Sequence, residues 1–470
     1  MANHFPGLSQ DLDHLNRQKR DDQPVPGLHQ PGGLLPQKQF KLGAFVLDNI
    51  VTIIFVAFVL LGFILAKQVA FSWFLTELSH RFYRNAFLVL SLIIPVVAGL
   101  GLNFGIVVGA ISGQLALALV RYFYLGGLGG LALCFLIALP IAALFGWLTG
   151  LLYNKTRGQE MIASLIVGFF ANGVYQFIML FLVGAVIPVA AGHPMIMPNG
   201  VGIRMTVDMD TLKYALENIY QVPFEWTLVV MGGLALLYVL WSQFLRRYKP
   251  GKSRPTWFKF AMYLLGSLAV LILGLNTVLG EGLMDMVRDV PVATVALVLL
   301  LVVFTKWIMT TKLGQDFRSC GQNQYIAESN GINVNRIRII ATILSTVLAA
   351  WGQIIYLQNI GTLNTYGAHN QIGFFSVAAI LVGGASVSKA TVSQALIGTL
   401  LFNAMFIMSP EIGKAVFGQA ILGEYFRTFM VYGVIGLALG LYVWKANKQS
   451  RVVLEPDDVL DQPVKNTLKK

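Results

Sequence analysis

The sequence has 470 residues and a mass of 51.6 kDa, with 56% hydrophobic side chains, 12% charged ones and a mean hydropathy of +0.68. Soluble domains carry about 25% charged residues, so this composition excludes a disordered chain, a secreted disulfide scaffold and an ordinary soluble enzyme. The net charge of +12 lies between apolar runs and forms no basic-aromatic stripe, which fits membrane topology and not nucleic acid.

Residues 1–43 are polar, rich in Gln, Pro and Gly, and lack an apolar signal-peptide core. They predict a disordered cytoplasmic tail. Residues 44–446 predict a transmembrane domain, and 447–470 a second cytoplasmic tail. Crossing ~30 Å of hydrocarbon takes about 20 mostly apolar residues. Runs suited to that fall at 44–66, 86–101, 105–121, 127–152, 161–188, 226–246, 258–280, 291–311, 339–359, 372–387, 391–409 and 425–445. The expected fold is therefore an all-α polytopic membrane protein with about 10–12 transmembrane helices.

Four of the runs are short. Gly101, Leu102, Asn103, Phe104 and Gly105 split the pair covering 86–121; Ser388, Lys389 and Ala390 split the pair covering 372–409. Both pairs predict broken or half helices, which survive in a membrane only where protein or a water-filled cavity satisfies the freed backbone. Interrupted segments in both halves of a chain point to a translocation path. Asp48 is the one charge placed clearly in a span, near its cytoplasmic end. Such scarcity of intramembrane charge argues against ion coupling.

Placing the N-terminus inside puts most of the 34 Lys and Arg on the cytoplasmic side. Asp208, Asp210, Glu217, Glu225, Glu281, Asp285, Asp289, Glu411 and Glu424 then fall outside. The positive-inside bias thus predicts N-in, C-in. The loop over 189–225 becomes extracytoplasmic, with a short helix at 211–220. The glycines, 47 in number, are read as sites of close helix packing.

No HExxH helix or GxSxG elbow is present. Lys252 and Ser253 follow Gly251, but position 246 is Arg where a phosphate-binding loop needs Gly. No catalytic, cofactor-binding or metal-ligating residue is assigned, and the chain has no ATP site of its own. The two cysteines exclude a disulfide framework. Cys134 lies in an apolar run, and Cys320 in a polar loop where a membrane-permeant thiol reagent would reach it.

The amides Asn103, Gln114, Asn172, Gln176, Gln353, Asn364, Gln394 and Asn403 are candidates for a translocation path. Amides both donate and accept, which suits sugar hydroxyls or nucleobase edges. Each also suits a role as interhelical glue.

The cytoplasmic loop over 311–338 holds the densest pattern. Gly321 and Gly331 bracket about two helical turns starting near Asn323, with Gly331 at the C-terminal cap. Such a helix would offer Tyr325, Ile326 and Ala327 to a partner, or simply lie in the interface. Thr311, Gly314, Arg318, Gly321, Asn323, Ala327, Gly331, Ile332 and Val334 match a spacing that resembles the coupling-helix region of ABC-transporter permeases for simple sugars and nucleosides, a branched-chain-permease-like family. Residues 101–110 are similar to that family's early Gly-rich motif, although its acidic residue has no counterpart here. Residues 379–386 are similar to its later Gly-Gly segment. The resemblance runs from about 86 to 445.

It implies a permease subunit of a bacterial plasma (inner) membrane importer. Two permease subunits would pair, as a homodimer or a heterodimer. ABC ATPase subunits holding ATP and Mg would bind inside, and an extracytoplasmic substrate-binding protein would deliver cargo outside. The ATPase contact would fall on Gly314, Arg318, Gly321, Asn323, Tyr325, Ala327, Gly331 and Ile332. The tract 353–366 resembles the galactoside branch, implying galactose, methyl-galactoside or ribose as cargo. Nucleoside permeases are the runner-up, since Phe317, Arg318, Gly321 and Asn323 suit them too. An ion-coupled secondary carrier is the alternative from another class.

Overall fold

The computed structural model describes residues 49–67, 69–183, 186–190, 192–197, 203–248, 257–279 and 289–454. The expected tail over 1–43, Asp48, and residues 455–470 lie outside the described residues. The described part is almost wholly helical: α1 (Ile50–Leu65), α2 (Phe71–Ser91), α3 (Ile93–Val97), α4 (Ile106–Tyr122), α5 (Gly127–Lys155) and α6 (Glu160–Phe177), which continues as a π-helical turn over Ile178–Leu182. Then come α7 (Phe224–Tyr248), α8 (Trp257–Leu279), α9 (Val292–Thr310), α10 (Lys312–Gln322), α11 (Gln324–Ser329) and α12 (Val334–Ile360). The helices α13 (Ile372–Val382), α14 (Val392–Phe417) and α15 (Ala420–Leu454) complete the order. Among the described residues, seven helices are long and apolar enough to cross a membrane, and four shorter apolar ones accompany them.

The axis of the bundle is α12, packed against α2, α4 and α5. Small residues make this possible. Gly109 and Gly113, four apart on α4, lie against the carbonyls of Thr346 and Ala350, where any Cβ would overlap. Gly146 and Gly150 on α5 meet the backbone at Ile343 and Ile339 in the same way. Without a hydrophobic drive between helices in lipid, such close backbone approach supplies the packing. In contrast, α7 and α8 pack chiefly on one another, through Gly232 against Leu271 and Gly274 against Val229.

Both expected breaks are present. The first follows α3: Gly99 and Gly101 take left-handed backbone (φ 79° and 69°), and the chain re-enters helix at Ile106. The freed groups are satisfied by protein. Asn103 Oδ1 accepts from Gly105 N at 2.9 Å and from the Tyr153 hydroxyl at 2.8 Å, and Phe104 N donates to Ser164 Oγ at 3.1 Å. The second break spans 383–391, slightly earlier than the sequence placed it. Here the Thr52 hydroxyl donates to Val382 O at 2.6 Å, Gln394 Nε2 donates to Gly384 O at 2.7 Å, and Thr391 with Gln394 forms a capping box for α14.

At the other end of the bundle, Gly361 (φ 78°) stops α12 and turns it into β4 (Thr362–Asn364). This pairs antiparallel with β1 (Thr206–Asp208), Val207 opposite Leu363. A second short pair joins β2 (Gln221–Val222) to β3 (Val290–Pro291). The helix expected at 211–220 is instead two 3₁₀ turns, Asp210–Leu212 and Glu217–Ile219.

One departure matters for function. The second span begins at Phe71, not near 86, so a polar stretch lies within the bundle. It folds there because its charges find partners. Arg81 Nε donates to Glu77 Oε1 at 2.7 Å, and Arg81 and Arg84 stand 5.0 and 5.4 Å from the ring centres of Phe406 and Tyr356.

Candidate coupling face and cargo cavity

The α10–α11 connection is built from local rules. Thr311 caps α10 by accepting from Gly314 N, and Gly314 lets α10 fold back against Ile308 and Met309 at the end of α9. Arg318 donates to Met309 O at 2.7 Å, satisfying a terminal carbonyl of α9. Asn323 caps α11, accepting from Ile326 N at 3.1 Å. Gly331, with φ 78°, lets Ile332 N return to Ala327 O at 3.0 Å and close α11. Asn333 then caps α12. The eight residues singled out in the sequence are thus gathered on one connection. On α11, Tyr325 is 82% and Ile326 59% exposed, while Ala327 is 1% exposed and faces the bundle.

Behind this connection stands a buried ion pair. Arg338, fully buried on the first turns of α12, donates to Glu160 Oε1 at 2.6 Å, to Tyr153 O at 2.8 Å and to Gln324 Oε1 at 3.2 Å. One guanidinium therefore joins α5, α6, α11 and α12. At the rim, Arg157 donates to Glu328 Oε1 at 3.1 Å and to Asn335 Oδ1 at 2.7 Å. The α10 end is tied differently: Gly321 lies against Val97 O and Gly99, the start of the first break. Movement of α10–α11 therefore bears directly on a broken helix.

Cys320 lies within α10 at 2% exposure, which corrects the expected accessible loop cysteine. Burial, with Asp316 adding to it, pushes its thiol up from the usual range.

Between α2, α13, α14 and the turn over 365–371 lies a cavity of about 180 Å³. Its polar lining includes Arg81, Arg84, Asn85, Gln371, Ser376 and Asn403, and Tyr356, Phe375, Phe402 and Phe406 supply aromatic walls. Asn85 Nδ2 donates to Asn403 Oδ1 at 2.9 Å, and Asn403 Nδ2 donates to Thr399 O at 2.7 Å. Arg84 Nη1 donates to Asn359 Oδ1 at 3.3 Å, and Asn359 Nδ2 in turn faces the Glu217 carboxylate.

Of the eight amides proposed for a path, Asn403 alone lines this cavity. Four others gather around the turn that forms one of its walls. Gln114 Nε2 donates to Asn364 O at 2.7 Å, and its Oε1 lies 2.9 Å from His369 Nδ1. Asn172 Oδ1 lies 2.7 Å from His369 Nε2, Gln176 Nε2 donates to Tyr366 O at 3.2 Å, and Asn364 Oδ1 accepts from Tyr366 N and Gly367 N. Asn103 sits at the first break and Gln394 at the second. Gln353 is buried on α12, and neither side-chain amide atom has a hydrogen-bond partner among the described residues.

Arg81, Arg84, Asn85 and His369 are missing from the sequence reading. The first three lay outside every apolar run, yet their i, i+3, i+4 spacing marks one helix face. His369 left no such signal, since its partners are far away in sequence.

Broken helices around a polar cavity, with a folded-back helical connection at one end, define a polytopic membrane permease. The chain belongs to the family described as the branched-chain amino acid transport system / permease component, whose model matches residues 75–439. It is a member of the ABC-transporter permeases. It is similar to the "Probable ABC transporter permease protein YphD" of Escherichia coli (strain K12), 37% identical over 99 residues. That match covers 21% of this chain and about 30% of the length of that relative. No solved structure matches.

Proposed function

We propose that this chain is the membrane-spanning subunit of an ATP-driven importer and carries a simple sugar of the galactose or ribose class. Separate ATPase subunits, which hold the nucleotide and Mg, engage α10 and α11 from the cytoplasm. An extracytoplasmic binding protein delivers cargo at the β1–β4 end, and a second permease subunit completes the membrane part. Both termini are cytoplasmic, in a bacterial inner membrane.

The observation that carries this reading is α11. It presents Tyr325 and Ile326 outward while Ala327, the Arg157–Glu328 contact and the Arg338–Gln324 contact fasten it inward. An exposed apolar pair on a fastened helix is suited to receive a partner and pass its motion on. The cavity's amides match hydroxyl-rich cargo. Its phenylalanines favour a nucleoside as second reading, because a base would stack on them.

Tagged purification from native membranes in mild detergent, with mass spectrometry, tests the assembly. A stoichiometric partner carrying a Walker A motif is expected. If the chain came out alone, and uptake survived ATP depletion but collapsed with an ionophore, a secondary carrier would replace this reading. Competition of uptake by adenosine but not by sugars would select the nucleoside reading.

A further inference from the structure

Two guanidinium groups and no carboxylate line the cavity. Arg81 and Arg84 stand three residues apart on α2 and so share a face. Arg81 gives its Nε to Glu77, and Arg84 one Nη1 to Asn359; their remaining N–H groups make no hydrogen bond among the described residues. The rings of Phe406 and Tyr356 hold the two cations at 5.0 and 5.4 Å from their centres. Glu77 and Glu217 do not line the cavity; Glu217 faces Asn359, which accepts from Arg84. The space itself therefore meets donors and positive charge. A half-buried guanidinium beside an aromatic ring, with free edge donors, is matched by a planar or tetrahedral oxyanion.

We propose that the cargo is an acidic member of the galactose or ribose class, a small sugar whose carboxylate or phosphate takes the free N–H groups of Arg81 and Arg84. This rests on the cavity being the cargo site of the permease proposed above. The Asn85–Asn403 pair and Gln371 take its hydroxyls. No acid lines the cavity to receive an ammonium, so a zwitterionic amino acid leaves its positive end unpaired. An uncharged sugar leaves the arginine donors unpaired. At about 180 Å³ the cavity is below the roughly 300–1,000 Å³ of pockets for drug-sized ligands, so a single-ring acid fits best.

The test is uptake of radiolabelled galacturonate, ribose 5-phosphate, galactose and leucine by cells with the gene intact, deleted, or carrying Arg84→Gln, Arg81→Gln or Arg84→Lys. Co-purification of the ATPase is followed for each variant as the measure of folding and assembly. Deletion is expected to remove uptake of galacturonate or ribose 5-phosphate, and which of the two is lost tells carboxylate from phosphate. Either glutamine variant is expected to lower that uptake roughly tenfold or more, with Arg84→Lys losing less, while the ATPase still co-purifies. Gene-dependent uptake of galactose or leucine alone would overturn the acid and leave the importer standing. So would acid uptake unaffected by both glutamine variants. Loss of no uptake on deletion overturns the acid as well, and with no co-purifying ATPase the importer reading falls too.

Discussion

Arg338 is the side chain on which most depends locally. It is fully buried, yet three acceptors on three other helices meet it, with Glu160 at 2.6 Å as its counter-charge. Breaking a buried pair by removing one partner leaves an uncompensated charge and costs about 3–5 kcal/mol, whereas replacing both members with apolar residues is often neutral. Glu160→Ala should therefore lower thermal stability in detergent by that order, and Glu160→Leu with Arg338→Met should recover most of it. A double variant less stable than Glu160→Ala would mean that Gln324 and Tyr153 O matter more than the carboxylate. The cysteines make a second residue-scale case. Cys134 and Cys320 are both buried, and the Cys320 thiol is pushed up, so little thiolate forms near neutral pH. Maleimide labelling of the native chain should be slow and become complete only in SDS.

At the scale of the element, α11 is six residues long and would not be stable as an isolated helix. Asn323 at its start, the left-handed Gly331 after its end and the inward Ala327 hold it in place. Ala327→Arg would force a long charged side chain into a site with 1% exposure. Gly331→Pro would demand φ near −65° where the chain has +78°, and would remove the N–H that reaches Glu328 O. Both variants should insert in the membrane and still lose transport by about 5–150-fold, the range of a typical coupling free energy. Normal uptake with both would remove this connection as the ATPase contact. The broken segments obey the same logic. Side chains from elsewhere in the bundle meet the interrupted backbone, Ser164 at the first break and Thr52 at the second, while Tyr153 holds the Asn103 side chain that accepts from Gly105 N.

For the whole molecule, the two ends of α12 define two faces, the α10–α11 connection at one and the β1–β4 pair at the other. The proposed orientation puts the first inside the cell. Because both native cysteines are buried, single reporters at exposed positions give a clean reading. Ile326→Cys should react with an impermeant maleimide only in inverted vesicles, and Met205→Cys only in intact spheroplasts. The opposite pattern would invert the orientation and move the ATPase contact to the other face.

How far the sequence carries differs between the two candidate sites. The caps of the α10–α11 connection were legible, because Thr311, Asn323 and Gly331 act through neighbours one to five positions away, whereas Ala327 and Cys320, expected to be open, are buried by the bundle. Hydrophobic run length and the Gly-rich interruptions determined the all-helical membrane fold and both breaks, since lipid leaves few other ways to satisfy a backbone. The cavity was not legible. Arg81 and Arg84 are polar residues beside an apolar run until Tyr356 and Phe406, each more than 270 positions away, fold over them. His369 became a fastening point only when α4 and α6 brought Gln114 and Asn172 to its two nitrogens. Local spacing alone determined the caps and the existence of the breaks, while the start of α2 at Phe71 depended on distant partners for its charges. The tertiary structure decided which charges are enclosed and what they face, because burial and pairing depend on partners distant in the chain.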